Sequence, residues 1–293
     1  MDWELFFQQL VSGISIGAIY SLLAVGYALV YSVYNFTNWA FDGFMVFGAF
    51  MGFSAILSFA LPLWLSVVLS ILLTVLLSVT VETTAYRPLR VRKAPRLFMM
   101  ISAMGVNLAI VNILNAIYGG LFRRFPFEDL EPIFVGGISI GRMDLIAMVI
   151  SAAVLLLLWL FLYRTKLGLG VLASSVDILT ASLMGINNNA VAITVFAITG
   201  LLSSVAGLFY GMKYAVYPTM GIVTIKAMIA SIIGGLGSLP AAVLGSMLLG
   251  VLETFVAGYL SSTYRDMFSF AFLIIMLLFL PNGLLGKSLE EKL

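Results

Sequence analysis

Residues 226–240 read KAMIASIIGGLGSLP, an apolar stretch broken by glycines and a proline. Lys226 opens an apolar run that is interrupted at Gly234, Gly235, Gly237 and Ser238 and again at Pro240, before apolar sequence resumes as far as Glu253. Glycine and proline weaken helix continuity, and non-helical backbone at membrane depth persists only where protein or water satisfies it. The spacing predicts a broken or re-entrant half-helix near 222–238, ending at about Leu236, followed by a full span from Leu239. A chain built only to sit in lipid needs no such break. A chain that moves a solute can use one.

Working outward, the composition places the whole chain in a bilayer. Hydrophobic residues make up 62% of it and charged residues 10%, against about 25% charged in an ordinary globular domain. The charges are also segregated: none lies in 5–41, 43–81, 97–122, 145–163, 178–212, 227–252 or 267–286. Each of these runs holds the roughly 20 apolar residues that a helix needs to cross about 30 Å of hydrocarbon. None alternates as the strands of an outer-membrane barrel do. The first ten residues carry Asp2 and Glu4 instead of the basic start of a cleavable signal peptide. The fold class expected is an all-α polytopic membrane protein of about eight transmembrane helices plus the half-helix. The whole chain, 1–293, forms a single transmembrane domain.

Spans are expected near 8–33, 40–60, 62–82, 97–120, 143–163, 191–213, 227–257 and 265–281. Segment 82–96 carries five Arg or Lys against one Glu, so the positive-inside rule puts it in the cytoplasm. Counting back places the N-terminus outside; counting forward makes 121–142 an extracellular loop and 166–189 a cytoplasmic segment. Treating the broken stretch as two elements returns the C-terminus to the cytoplasm. Small residues four apart (Gly13/Gly17, Gly48/Gly52, Gly207/Gly211, Ala241/Gly245) fit close helix packing in lipid.

Several chemistries drop out. With no Cys and no His, there is no thiolate, no disulfide framework and no imidazole base or metal ligand. No metal or catalytic residues are expected, and no cofactor in this chain. The tail 281–288, PNGLLGKS, has proline where a phosphate loop needs its first glycine, so Pro281 and Gly283 are expected to end the last helix. Asn35-Phe36-Thr37 matches a glycosylation acceptor but falls on the cytoplasmic side of this topology. A membrane-embedded enzyme would need clustered carboxylates that the chain lacks.

Buried ionisable groups carry more weight, because a charge within a span usually faces the bundle interior or a water-filled path. Asp42, with Asn38 a helical turn before it, is the best single pathway carboxylate. Lys226 and Glu253 flank the broken element; they either pair with each other or a third group, or reach the interface by snorkelling. The cytoplasmic segment is partly apolar. As one short helix from Ala173 to Met184 it puts Ile178, Ala181 and Ser182 on one side and Asp177 near its middle, which fits insertion into a partner's groove.

These residues resemble the branched-chain amino acid ABC permeases of the LivH type. The resemblance lies in Gly168-x-Gly170, Asp177 and Ala181-Ser182-Leu183-Met184-Gly185-Ile186-Asn187. It continues in Gly221, Lys226-Ala227, Gly234-Gly235-Leu236-Gly237-Ser238, Gly245, Gly250 and Glu253. Ala85-Tyr86-Arg87-Pro88-Leu89-Arg90, Ile101-Ser102-Ala103-Met104-Gly105, the stretch from Gly17 to Tyr31 and Pro281-Asn282-Gly283-Leu284 complete it. Two positions depart from the family pattern. Leu172-Ala173 stands where members carry Arg-Ala, and Asn38-Trp39-Ala40-Phe41-Asp42-Gly43 stands where they favour Asn-x-Ala-His-Gly-Glu.

The resemblance implies a permease subunit of the bacterial inner membrane that works by alternating access. It would pair with a second related permease or with itself. Two ATP-binding subunits, which hold the ATP and Mg, would dock on its coupling helix, and an extracellular or periplasmic binding protein would deliver the solute. A nucleic-acid partner is not expected. Expected pathway residues are Asn38, Asp42, Ser102, Asn107, Lys226, Gly234, Gly235, Gly237, Ser238 and Glu253; expected coupling residues are Leu172, Asp177, Ala181, Ser182 and Gly185. The solute expected is a branched-chain or other hydrophobic amino acid. Urea, nucleosides or sugars on the same scaffold are the near alternatives, and an autonomous ion-coupled transporter, which also uses broken helices, is the distant one.

Overall fold

The computed structural model describes residues 3–126, 132–135 and 138–285. Twelve α-helices occur among them: α1 Trp3–Tyr34, α2 Phe41–Leu57, α3 Leu63–Val81, α4 Arg87–Val91, α5 Arg96–Tyr118, α6 Arg142–Arg164, α7 Lys166–Val176, α8 Ile178–Leu183, α9 Asn188–Lys213, α10 Val223–Gly234, α11 Leu239–Tyr259 and α12 Arg265–Phe279. One π-helical turn, Glu82–Tyr86, joins α3 to α4. Seven helical stretches are long and apolar enough to cross a membrane, which makes this an all-α polytopic membrane protein. The expected spans fall on helices, and the expected break falls between α10 and α11. Of the expected outer loop, 121–142, the described part holds a short antiparallel pair, β1 Ile133–Val135 with β2 Ile138–Ile140; residues 127–131 and 136–137 lie outside the described residues.

Contacts group the chain into two compact units: Leu29–Phe125 with Ala153–Ile222, and Met1–Ala28 with Pro126–Ala152 and Val223–Leu293. In the first, α2, α3 and α9 pack through small and hydroxyl residues. Ser66, Ser70, Thr74 and Ser78 recur every four residues on α3 and are buried, while Val68, Leu72 and Leu76 on the other face are exposed. The buried hydroxyls act as rungs: Ser70 donates to the Gly48 carbonyl at 2.6 Å and Ser78 to the Phe196 carbonyl at 2.7 Å. A Cβ at Gly48 would stand 2.8 Å from the Cα of Ser204, and one at Gly207 would overlap the Met45 carbonyl. Backbones meet at these points because van der Waals packing, with no hydrophobic gain over lipid, drives helix association in a bilayer.

α2 does not start at a membrane edge. Asp42 in its first turn is bonded to Asn107 at the midpoint of α5, whereas Ser54 near its end is bonded to Tyr118, the last residue of α5. At about 1.5 Å per residue its 17 residues fall short of a full crossing. The helix therefore begins half-way along α5 and runs beside the second half of it.

In the second unit, α1 as far as Ala28 packs on α11: a Cβ at Gly13 would stand 2.7 Å from the Val251 Cα, and one at Gly250 2.5 Å from the Gly17 nitrogen. α10 and α11 form a tight hairpin whose turn uses Gly235 at φ 128° and Gly237 at φ 85°, values open to glycine but strained for other residues. The end of α10 is closed by the tail: the Leu284 and Leu285 amides donate to the carbonyls of Ile233 and Gly234, both at 2.9 Å. Pro281 and Gly283 thus do more than end α12. They turn the chain back so that it supplies donors to the end carbonyls of α10, which have no partner within their own helix. Lys287 and Ser288 of the rejected phosphate-loop reading lie outside the described residues.

Candidate functional site

Asp42 is half-buried where α2 begins. Its Oδ2 accepts from Asn107 Nδ2 at 3.0 Å. Asp42 Oδ1 and Asn107 Oδ1 are buried and have no hydrogen-bond donor among the described residues. Gly221, in the short 3-10 turn Met220–Ile222, lies against this carboxylate so closely that any Cβ there would overlap it. Gly43 lies under Asn107 in the same way, with Asn107 Oδ1 3.0 Å from the place of a Cβ. Two glycines therefore leave room for a charged and an amide group beside the midpoint of α5, and two acceptor atoms there are left idle. A buried acceptor without a donor costs about 1–3 kcal/mol, so the pair holds unused hydrogen-bonding capacity.

Asn38 sits outside α2, because the helix starts only at Phe41; it is not the preceding turn of the helix that carries Asp42. Its Oδ1 accepts from the Ala40 amide at 3.1 Å and from the Tyr86 hydroxyl at 2.8 Å, which fixes the approach to α2. Ser102 is half-buried on α5, about 140° around the helix from Asn107 at 100° per residue. It does not join the Asp42 pair.

Lys226 and Glu253 pair and do not snorkel. Glu253 is 0% exposed, and Lys226 Nζ lies 3.1 Å from its Oε1 and 2.7 Å from Oδ1 of Asp266. Ser269 donates to Glu253 Oε1 at 2.6 Å, while Tyr20 donates to Oε2 at 2.9 Å, 3.3 Å from the same ammonium. Both carboxylate oxygens are fully used by protein. Tyr20, Ser269 and Asp266 escaped the sequence reading, since nothing in an apolar helix marks which hydroxyl will face a distant carboxylate. Of the break residues, Gly234 and Gly235 are buried, Gly237 and Ser238 half-buried, and their observed part is to form the turn. A Cβ at Gly234 would overlap the Ala241 carbonyl.

Segment 166–189 differs from a single helix. α7 and α8 meet at Asp177, which is not mid-helix but caps α8: its carboxylate accepts from the Leu179 amide at 2.9 Å and from the Thr180 hydroxyl. The Thr180 hydroxyl first and the Leu179 amide second hold that carboxyl below the ordinary aspartate range. Thr165 caps α7 by accepting from the Gly168 amide at 3.0 Å. A Cβ at Gly168 would collide with the last turn of α6, so glycine there permits the sharp fold-back. Gly185, at φ 89°, ends α8, and Asn187 caps α9. Leu172 is half-buried, Ala181 buried and Ser182 exposed. The exposed apolar face consists of Val176, Leu179, Leu183 and Met184, with Val176 83% and Met184 82% accessible. Ala173, Val176, Asp177, Thr180, Ala181, Met184 and Ile186 line a shallow hollow beside it.

Among the described residues, no group of three or more His, Cys, Asp or Glu is placed to hold a metal ion. The family model described as branched-chain amino acid transport system / permease component matches residues 9–277. The chain is 35% identical to the high-affinity branched-chain amino acid transport system permease protein BraD of Pseudomonas aeruginosa, over 98% of both chains. It is 32% identical to the corresponding permease protein LivH of Escherichia coli, over 98% of this chain and 97% of that one. The ribose import permease protein RbsC of Escherichia coli is 29% identical, but over 45% of this chain and 44% of its own. With the family's pattern running almost end to end, the chain belongs to the branched-chain amino acid transport permeases, as a multi-pass permease component of an ABC importer and not an enzyme.

Proposed function

We propose that this subunit forms the membrane path for branched-chain or other hydrophobic amino acids, and that Asp42 with Asn107 receives the α-ammonium of the passing solute. The observation that carries this is the pair of idle acceptors, Asp42 Oδ1 and Asn107 Oδ1, beside the midpoint of α5. An amino acid brings one cationic, three-donor group and an apolar side chain. The carboxylate meets the first, and the apolar spans suit the second. Both near relatives are named for branched-chain amino acid transport. The ribose permease, similar over less than half of the chain, supports the scaffold more than the solute.

In this reading, segments 82–96 and 166–189 lie in the cytoplasm, as does the C-terminus, and the N-terminus lies outside. Two ATP-binding subunits dock on α7 and α8 through Val176, Leu179, Leu183 and Met184, with the Asp177 cap holding α8 at its angle to α7. The partner permease is a related chain or a second copy, and a soluble binding protein delivers the solute from outside. ATP-driven closure of the partners moves α7–α8, and access to Asp42 alternates.

The test is co-expression with the neighbouring transport genes, purification and reconstitution in liposomes. ATP-dependent import of a branched-chain amino acid, reduced about tenfold or more by Asp42→Asn, supports the reading; a contact between a charged group and its donor is worth roughly 1.5–3 kcal/mol, and each 1.4 kcal/mol is tenfold. Import of ribose or urea in its place would move the chain to another solute class. Solute movement by this chain alone without ATP would return it to the ion-coupled alternative.

A further inference from the structure

Segment 82–96, made of the π-turn, α4 and the turn after it, carries five cations, and four of them, Arg87, Arg92, Lys93 and Arg96, are exposed. Arg90 is not. Its side chain turns inward, to 16% exposure, and meets Glu82, which is 1% exposed, at 2.6 Å. The same guanidinium reaches the first turn of α9, with Nη2 3.2 Å from Asn189 Oδ1 and Nη1 3.4 Å from the Asn188 carbonyl. It also lies 5.7 Å over the Tyr34 ring. Asn188 and Asn189 follow directly on Asn187, the residue that caps α9 at the end of the cytoplasmic segment.

Glu82 opens the π-helical turn and Tyr86 closes it. The buried Tyr86 ring is wedged 5.7 Å from Phe36 and 5.2 Å from Phe196, and its hydroxyl donates to Asn38 Oδ1 at 2.8 Å. Asn38 in turn holds the Ala40 amide, at the residue that precedes α2 and its Asp42. A line of contacts thus runs from the start of α9, through the Arg90–Glu82 pair, along the backbone of the π-turn and through the Tyr86–Asn38 hydrogen bond, to the residues that lead into the helix carrying Asp42. The line keeps unused capacity: Glu82 Oε2, Asn38 Nδ2 and Tyr34 Oη are buried without partners among the described residues. A buried ion pair is a poor source of stability compared with apolar packing, and its best-attested use is to fix a register or a switch. A π-turn inside a helix likewise tends to mark a functional position.

We propose that Arg90 and Glu82 are positioning residues that couple movement of the ATPase-docking segment to Asp42, with Tyr86 and Asn38 as the last link. This rests on the reading that ATP-binding subunits dock on 166–189. Movement of α7–α8 shifts Asn188 and Asn189. Arg90 passes that shift to Glu82, and Tyr86 moves the turn at Asn38 that sets where Asp42 points. Lysine cannot replace Arg90, because one ammonium does not offer the planar fork that serves Glu82 and α9 together.

The experiment uses the reconstituted importer with its ATP-binding subunits and reads ATP hydrolysed per solute imported. Arg90→Lys is expected to keep ATP hydrolysis within about twofold while import falls about tenfold, with KM for the solute unchanged. Because a lone buried Glu82 could unfold the protein, Arg90→Met with Glu82→Met supplies the second variant; removing both charges should restore the melting temperature and leave the ratio of ATP to solute raised. Tyr86→Phe, which keeps the ring and loses the hydroxyl, should raise that ratio about threefold or more. If wild type imports with ATP and all three variants keep its ratio, the coupling line is overturned while the transport reading stands. If wild type binds no ATP-hydrolysing subunit, the docking reading falls and the coupling line falls with it.

Discussion

Two carboxylates in this protein stand in apolar helices and do opposite things with their oxygens. Glu253 is wholly enclosed and spends both oxygens on Lys226, Tyr20 and Ser269. Asp42 is half-buried, spends one oxygen on Asn107 and leaves the other idle. A carboxylate that protein donors saturate has no capacity left for a guest. Its charge is the means by which α10, α11, α12 and α1 are held in one arrangement. Asp42 keeps one buried oxygen without a donor, packed against Gly221, and on the proposal above a donor-bearing solute relieves the cost of that oxygen. Burial and charge alone do not separate a structural group from a binding group; the count of donors around it does.

The largest effect is expected at Glu253. Glu253→Ala leaves Lys226 with only the exposed Asp266 in a site built for three charges, and truncating one partner of a buried pair costs about 3–5 kcal/mol. The expected result is a large fall in melting temperature in detergent; a protein as stable as wild type would remove Glu253 from its structural part. Asp42→Asn is expected to do the reverse, with no fall in melting temperature and a loss of import of about tenfold or more. Gly221→Ala sharpens the same point without touching the charge. Its methyl must displace the Asp42 carboxylate, so import should fall several-fold while the fold survives, in line with about 1–3 kcal/mol for overpacking. Import at the wild-type rate would show that the position of Asp42 is immaterial.

Smaller effects come from the rims. Asp266 is 65% exposed, so Asp266→Asn should cost under about 1 kcal/mol despite the short contact to Lys226. A loss as large as that of Glu253→Ala would mean that the pair is shielded far more than its exposure indicates. Asp177 gives a pH signature. Its carboxyl titrates below the usual range when folded, so its support for α8 is fully present above about pH 4 and is lost as pH falls through the lowered value. Amide exchange in α8 should therefore be flat from pH 7 down to about 5, once corrected for intrinsic rate, and should rise only in acid. A change near neutral pH would point to another group.

Much of the fold was legible because the bilayer restricts the choices. Uncharged runs of span length must be helices, and the glycines at 234–237 could only mark a break. The rest was hidden for physical reasons. Hydropathy cannot tell that Phe41–Leu57 starts at mid-depth, since a partial span lined by protein is as apolar as a full one. The one-helix reading of 173–184 failed because Asp177 competes for backbone amides better than it continues a helix, and so starts a new one. Asp42 was recognisable as a buried charge and Asn107 as a polar residue in a span, yet their pairing joins residues 65 apart in the chain. The partners of Glu253 carried no local mark at all. The inward turn of Arg90 was masked by the cations around it, which read as one cytoplasmic patch.

On this proposal Asp42 receives the ammonium group of the solute. The most direct test is a competition in the reconstituted importer between a branched-chain amino acid and the same molecule lacking its amino group, for wild type and Asp42→Asn. Wild type should prefer the amino acid strongly, and Asp42→Asn should lose most of that preference at an undiminished melting temperature. Unchanged import and unchanged preference in Asp42→Asn would contradict it.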